Sequence, residues 1–290
     1  MTTPELLRLA TDELEVELLP AVGGRLHRVR AFGHDLLLTP VDLGAHRADP
    51  VFWGAFVMAP WCNRATPGPT TVLGTRIDLA PNFEDGSAIH GLVFDVPWRL
   101  TGGGGLDVER DGDARWPWTF GVSLSVAVDG ATLDLAYRLR NEADRPMPAG
   151  LGLHPWFRRP LELRVPAASV YPRNTDSPAE PEPSTGRLDL RGGDEPPPDL
   201  DGTWTDFDEP VVDLAWPALG LRARLQMETL VPHVAVATPS ERDAVAVEPQ
   251  THAPDALRRL ASGQSGAPAV LTPGQELALT LRLTVEPGYD

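Results

Sequence analysis

The sequence has 290 residues, a length that one all-β domain with a large buried core can reach, and a formal net charge of −16. Such an acidic chain lacks the basic surface that neutralises phosphates, which excludes a nucleic-acid partner. It shows no signal-peptide pattern and no apolar run of about 20 residues, so we expect a cytoplasmic protein without membrane contact.

Alternation of apolar and polar residues, typical of half-buried strands, begins near the start of the chain. Residues 14–18 alternate leucine or valine with glutamate and predict a first strand. Residues 26–32 and 36–38 predict a hairpin that turns at 33–35, and residues 72–79 repeat this pattern around a glycine. The first third of the chain therefore reads as short strands joined by glycine turns.

The clearest hairpin signal lies in the middle of the sequence. Two alternating runs, 122–128 and 133–139, flank Asp129-Gly130, and an Asp-Gly pair in that position is a strong hairpin signal. One short helix is expected at Asp255–Ala261, between a proline and a glycine. Further strands are predicted at Val211–Leu214, Leu221–Met227, His233–Ala237, Ala244–Val247 and Leu277–Val285.

Many strands with little helix predict an all-β fold, either a sandwich or a barrel. No GxGxxG motif follows a strand, so a dinucleotide-binding fold is not expected. Residues 172–201 are rich in proline and acidic side chains. They could link two domains, but strand patterning continues on both sides, so we predict a long loop within one domain spanning residues 1–290.

The segment 151–157 is the most distinctive stretch of the chain. It is apolar apart from His154, which Pro155 biases toward an extended conformation. Trp156 can form a flat, partly polar wall beside the imidazole, and such a wall suits the apolar C–H face of a sugar ring. The alternative is a core histidine packed among aromatic side chains.

Three further places combine polar side chains with strand ends or turns. Arg64, next to Asn63, could form a fork for sugar hydroxyls or a carboxylate, although alone it reads as a surface arginine. His90 precedes a glycine that would allow a ligand to approach the backbone, or would form an ordinary turn. Asp201, followed closely by Trp204, could hold a pair of hydroxyls or could start an Asp-Gly turn.

Glu248 ends an apolar run, where a carboxylate is unfavourable unless it has partners or a function. We expect the following Pro249 to end the strand pairing. A metal site is not expected, because HExxH and comparable motifs are absent and Cys62, the only cysteine, could not pair with a second thiol. Asp201 and Glu248 could also form the carboxylate pair of glycoside hydrolysis, an alternative that stays open because the sequence gives no distance between them.

Taken in chain order, these segments resemble the aldose 1-epimerase (galactose mutarotase) family, over about residues 14–285. The resemblance rests on Asn63-Arg64, Pro81-Asn82 with Ile89-His90-Gly91, residues 141–157, and Glu248-Pro249-Gln250-Thr251. It implies a single-domain β-supersandwich with no metal or cofactor. It also implies that the partner is a small-molecule aldose whose α and β anomers interconvert, and that the protein is a monomer or homodimer.

The resemblance also implies roles for individual residues. Glu248 matches the catalytic base of the family and His154 its catalytic acid, whereas His90, Arg64 and Asp201 match residues that contact the sugar. Two additional substrate contacts are expected from Asn63 and Trp156. Trp156 replaces a tyrosine of many members, and Leu92 follows His90-Gly91 where galactose-type members often have a second glycine. These departures concern the identity of the sugar more than the reaction.

The expected chemistry suits these side chains. Ring opening requires a base for the anomeric hydroxyl and an acid for the ring oxygen. Mutual attraction should lower the pKa of Glu248 and raise that of His154. Alternatives are a hexose-6-phosphate 1-epimerase, for which Arg158-Arg159 could bind the phosphate, an inactive carbohydrate-binding protein of the same fold, and a glycoside-processing enzyme.

Overall fold

The structure is a computed structural model that describes residues 5–173 and 179–288. The strands of the first half are β1 (Leu7–Ala10), β2 (Leu14–Leu19), β3 (Arg25–Ala31), β4 (His34–Asp35), β5 (Ala55–Met58), β6 (Arg64–Ala65), β7 (Gly68–Val72), β8 (Thr75–Leu79), β9 (Ala88–Ile89), β10 (Arg99–Leu100), β11 (Leu106–Arg110), β12 (Phe120–Asp129) and β13 (Thr132–Asn141).

The strands of the second half are β14 (Met147–Ala149), β15 (Gly152–Arg158), β16 (Glu162–Arg164), β17 (Ala167–Pro172), β18 (Glu182–Pro183), β19 (Asp201–Phe207), β20 (Val211–Trp216), β21 (Leu221–Glu228), β22 (His233–Ala237), β23 (Ala244–Gln250), β24 (Ala269–Leu271) and β25 (Glu276–Pro287). Two α-helices are described, α1 (Ala45–Ala48) and α2 (Ala256–Ser262). Neither they nor any other helix in the described ranges is long and apolar enough to cross a membrane.

Two antiparallel sheets dominate the described part of the chain. The larger sheet has the strand order β1-β2-β3-β5-β15-β23-β22-β19-β17-β18, with β4 attached to β3. The smaller sheet has the order β10-β11-β12-β13-β25-β21-β20-β16. One cluster of buried apolar side chains draws on both sheets, including Val16 and Val247 from the larger and Leu139 and Leu281 from the smaller. The predicted all-β fold is confirmed.

The predicted hairpins form, with small shifts at two of the turns. Strands β7 and β8 pair around Gly74 as expected. The turn between β12 and β13 is Gly130-Ala131, because Asp129 itself pairs with Thr132. The turn expected at residues 33–35 is also displaced, because His34 and Asp35 pair with β3. Both shifts reflect turn geometry, which the apolar pattern constrains less tightly than strand identity.

Three local expectations can be compared with the second half of the structure. The helix expected at Asp255–Ala261 forms as α2, one residue later, and Gly263 ends it in a left-handed conformation. The expectation that Pro249 ends the strand pairing is wrong, because Val234 of β22 pairs opposite it and β23 continues to Gln250. Proline has no backbone N–H to donate, but residue 249 has no pairing partner on β15. Pro249 therefore breaks no hydrogen bond there and is tolerated in a central strand.

The long loop expected at residues 172–201 contains the short strand β18 and one 3₁₀ turn at Gly186–Leu188. Residues 174–178 of that loop lie outside the described residues. We expect limited proteolysis to cut between residues 178 and 198 and to leave the two fragments associated, since both sheets share a buried cluster. Gel filtration and circular dichroism of the nicked protein would test this. Two fragments that separate and fold independently would contradict the prediction of one domain.

Candidate active site

His154 and Glu248 face each other across two neighbouring strands. In the register of β15 and β23, the pairs Gly152–Gln250 and Trp156–Ala246 bracket them, so 154 falls opposite 248. Side chains opposite each other on antiparallel strands point to the same face of a sheet. The imidazole Nε2 lies 3.1 Å from the Glu248 Oε1, and each residue is about 5% exposed or less. The sheet therefore creates an enclosed acid–base pair.

The pair lies on the face of the larger sheet that points away from the main core. Along β15, Leu153 and Phe157 enter the core cluster shared by both sheets, whereas Trp156 belongs to a smaller separate cluster. That smaller cluster also contains Phe56, which stacks on the His154 ring at a centroid distance of 4.5 Å. Both faces of these central strands are buried. The site is therefore covered by other parts of the protein, although it lies on the opposite face of the sheet from the main core.

His90 approaches the pair from a loop. Its ring meets that of His154 edge-on at 5.0 Å, and its buried Nδ1 has no hydrogen-bond partner. The next residue, Gly91, has φ = +81°, and a Cβ there would overlap the Ala59 carbonyl oxygen. The glycine thus allows close contact between two loops, and the expectation that it admits a ligand to the backbone is wrong. Its consequence is to hold His90 against the pair.

Several residues around the site have left-handed backbone conformations that side chains seldom adopt. Asn63 has φ = 54°, His90 has 59° and Asp199 has 54°. The Asn63 side-chain oxygen accepts a hydrogen bond from the Arg64 N–H at 2.7 Å, and its carbonyl accepts one from the His90 N–H. Such strain persists only where the surroundings hold it, and it concentrates at functional sites.

Arg64 and Asp201 belong to a network of four charged side chains. Arg64 Nε donates to Asp85 at 2.7 Å, and its Nη1 lies 3.3 Å from Asp201. Arg173 contacts the same two carboxylates at 3.2 and 3.5 Å. Each arginine therefore bridges both aspartates, so the network is electrically balanced and holds its members in fixed positions. Sequence analysis missed Asp85 and Arg173, since their only signal is a charge in a polar loop.

All seven residues proposed from the sequence line one pocket of about 510 Å³. Trp156 forms part of its wall, and the indole N–H donates to the Val51 carbonyl at 3.0 Å. Arg158 and Arg159 do not line this pocket, so the phosphate-binding contribution suggested for them is wrong. Arg159 instead donates to the Ala244 carbonyl and lies 3.8 Å from Glu195.

Burial sets the protonation of the acid–base pair. It raises the pKa of Glu248 to about 8, and the nearby Asp201 charge adds to this rise while Arg64 opposes it. Burial also lowers the pKa of His154 to about 3. In both groups burial disfavours the charged form. We expected mutual attraction to lower the pKa of Glu248 and to raise that of His154, and both expectations are wrong in direction. Both directions favour the form of the unliganded pair in which Glu248 holds the proton and His154 is neutral.

A family model for aldose 1-epimerase matches residues 5–284. The chain belongs to the aldose 1-epimerase family. The curated proteins include no significant match to it. Within residues 5–173 and 179–288, no three His, Cys, Asp or Glu side chains are grouped so that they could hold a metal ion, and absence of a cofactor remains a prediction.

Solved structures of similar fold come from several organisms. A galactose mutarotase-like protein from Clostridium acetobutylicum has a TM-score of 0.84 at 17% identity, covering 97% of this chain and 95% of its own. An aldose epimerase homologue from C. elegans has a TM-score of 0.81 at 16% identity, covering 98% and 99%. A galactose 1-epimerase from Lactobacillus acidophilus NCFM has 0.79 at 17%, covering 98% and 95%. These likenesses concern the fold.

Proposed function

We propose that the protein is an aldose 1-epimerase that interconverts the α and β anomers of a free hexose. The observation that carries this proposal is the enclosed pair of His154 and Glu248, in contact at 3.1 Å in a pocket large enough for a sugar ring. The second carboxylate oxygen of Glu248 is buried and has no hydrogen-bond partner. A buried polar atom without a partner is unfavourable, and a sugar hydroxyl would satisfy it.

Ring opening and closure require the pair of Glu248 and His154 to hold one proton between them. With Glu248 ionised and His154 protonated, the carboxylate takes the proton of the anomeric hydroxyl. At the same time the imidazolium gives its proton to the ring oxygen, the C1–O5 bond breaks, and a carbonyl forms at C1. Rotation about C1–C2 presents the other carbonyl face. The reverse transfers then close the ring as the opposite anomer.

The burial of the pair favours this chemistry. A carboxylate whose pKa is about 8 is a stronger base than an ordinary glutamate, and an imidazolium whose pKa is about 3 is a stronger acid than an ordinary histidine. Bound sugar would stabilise the charged forms, because its hydroxyl donates to Glu248 and its ring oxygen accepts from His154. Ring opening returns the pair to the neutral state that burial prefers, which stabilises the open-chain intermediate.

The charge of the pocket favours a free sugar over a phosphorylated one. Each of its three arginines already contacts a carboxylate: Arg64 and Arg173 bridge Asp85 and Asp201, and Arg242 donates to Asp49 at 3.1 Å. Carboxylates outnumber arginines among the described lining residues even when Glu248 is left out, namely Asp49, Glu84, Asp85, Asp199, Asp201 and Glu241. A phosphate would meet net repulsion here.

Polarimetry tests the proposal directly. Freshly dissolved α-anomers of glucose and galactose should reach anomeric equilibrium faster with the protein than without it, and the 6-phosphates should show much less acceleration. Acceleration of the phosphorylated sugars alone would support the hexose-6-phosphate alternative. Tight sugar binding without acceleration would support a binding protein, and release of a new reducing end from a glycoside would support a glycosidase.

Replacing Arg64 should weaken sugar binding more than it slows the chemistry. Arg64→Ala removes the guanidinium that fixes Asp201 and presents donors to the sugar hydroxyls. We expect the catalytic efficiency to fall by the equivalent of about 1–3 kcal/mol, the loss typical of a hydrogen bond to a charged group. Polarimetric KM and kcat would measure it. Arg164→Ala, which breaks an ion pair with Asp213 on the smaller sheet, is the matched control.

A further inference from the structure

Arg25 is a fully buried arginine close to the site that the proposed reaction does not use. It is 0% exposed, and burial lowers its pKa to about 10, so it stays charged near neutral pH. Its guanidinium lies over the Phe56 ring at 5.4 Å, and that ring stacks on His154. A buried cation is unfavourable unless its donors are satisfied. Its position therefore calls for a specific reason.

The donors of Arg25 are satisfied mainly by backbone carbonyls. Its Nη1 donates to the Phe52 carbonyl at 3.2 Å, and its Nη2 donates to the carbonyls of Pro50 and Phe94 at 2.8 Å. Its Nε donates to the Val22 carbonyl at 3.2 Å. One side chain thus joins strand β3 to two separate segments, 50–52 and 94.

The remaining contact of Arg25 fixes the tautomer of a buried histidine. Arginine carries donors only, so the His46 Nδ1, 3.3 Å from Arg25 Nη1, must be the acceptor. The His46 Nε2 then carries the hydrogen and donates to the His27 Nδ1 at 2.9 Å. His46 is thus neutral, and burial together with the Arg25 charge lowers its pKa to about 3. The hydrogen bonds that run from Arg25 to His46 and from His46 to His27 therefore hold the guanidinium in the orientation that reaches its carbonyl acceptors.

Two of the four carbonyls that accept from Arg25, those of Pro50 and Phe52, lie in a segment that forms part of the pocket wall. Asp49, Val51 and Phe52 line the pocket. From the other side, Trp156 donates to the Val51 carbonyl, and Arg242 both bonds Asp49 and lies over the Phe52 ring at 4.1 Å. The segment is also tied to α1, because the Asp49 N–H donates to the Ala45 carbonyl at 2.9 Å, and Phe52 packs in the smaller apolar cluster. Arg25 therefore adds a charged attachment to a wall that otherwise depends on one helix contact, apolar packing and side chains of the pocket.

We propose that Arg25 is a positioning residue for the sugar site, which holds the wall segment 49–53 against the catalytic pair and is itself held by His46. The inference rests on the proposed function for its effect on a sugar. The attachment of the wall can be measured without any activity. Nothing in it requires Arg25 to contact the sugar, since the guanidinium lies behind Phe56.

The test uses two pairs of variants in the full-length protein. Arg25→Met removes every side-chain donor while keeping an apolar chain of similar length. Arg47→Met is its control, since the exposed Arg47 side chain donates to the Ala21 carbonyl, outside the wall segment. His46→Leu removes the acceptor for Arg25, whereas His46→Gln can still accept from Arg25 and donate to His27. If Arg25→Met fails to fold, the His46 pair still decides the question.

Hydrogen–deuterium exchange of peptides covering 49–53 and polarimetric kinetics are the two readouts. We expect faster exchange in this segment, and a KM raised roughly tenfold with kcat per folded molecule almost unchanged, for Arg25→Met and His46→Leu. The two control variants should match the wild type. A merely structural role would lower kcat with the folded fraction and leave KM unchanged.

The outcomes separate the two proposals. Unchanged exchange at 49–53 in folded Arg25→Met and His46→Leu would overturn the positioning role, whatever the activity. Wild-type protein that accelerates no mutarotation would overturn the proposed function, while faster exchange at 49–53 in the variants would still support the attachment of the wall by Arg25.

Discussion

Glu248→Gln is expected to remove most of the mutarotation rate, by roughly 10²–10⁴-fold, the usual contribution of a general acid or base. Glutamine has nearly the same shape and can still hydrogen-bond, so sugar affinity should change little. The residual rate should reflect positioning by the rest of the pocket. Polarimetry for rate and calorimetry for affinity would measure the two quantities on the same protein preparation.

The double variant provides the sharper test of a coupled pair. His154→Asn should cause a similar loss, and the double variant with Glu248→Gln should be little slower than either single one, because the two groups transfer protons in the same step. Glu228→Gln, an exposed carboxylate on β21, is the control for the amide substitution itself. A Glu248→Gln protein with nearly wild-type rate would refute the mechanism.

The rate should show a broad bell-shaped dependence on pH. Only the pair with one proton can take and give a proton in the same step, whichever group holds it at rest. At low pH His154 takes up a proton and the pair then holds two, so kcat/KM should fall below about pH 3. At high pH Glu248 loses the last proton, so kcat/KM should fall above about pH 8. The two limits describe the pair as a unit.

NMR of the unliganded protein can assign the two sides of the bell. The His154 imidazole should remain neutral at pH 5, where an ordinary histidine is mostly protonated. A His154 ring that is protonated at pH 5 in the unliganded protein would show that attraction to Glu248 outweighs burial.

Strand identity was predictable because burial on one face imposes alternation. The runs that became β2, β12, β13, β21 and β25 bury every second residue, and all were predicted. Central strands β5, β15 and β23 bury both faces, so their sequences do not alternate. Periodicity alone cannot distinguish such a continuous apolar run from a buried helix, which is why these strands are harder to predict.

The residues of the site were predictable from motifs, but their protonation was not. Sequence order placed Arg64, His90, His154, Asp201 and Glu248 together, and the structure arranges them around one pocket. The direction of the pKa shifts depends on how completely the surrounding loops exclude water. The other two members of the charged network around Arg64 and Asp201, namely Asp85 and Arg173, lie in loops whose spatial proximity no local pattern encodes.

The catalytic pair, His154 and Glu248, lies on neighbouring strands of the sheet, whereas the walls that would select the substrate lie elsewhere in the chain. The spacing of the pair is inherited from strand register, and slipping β15 by one residue would turn His154 into the main core. The pocket walls, by contrast, come largely from connecting segments such as 49–53, 82–85 and 239–242. An engineer could exchange those segments to admit a different sugar while the proton-transfer geometry stays with the sheet.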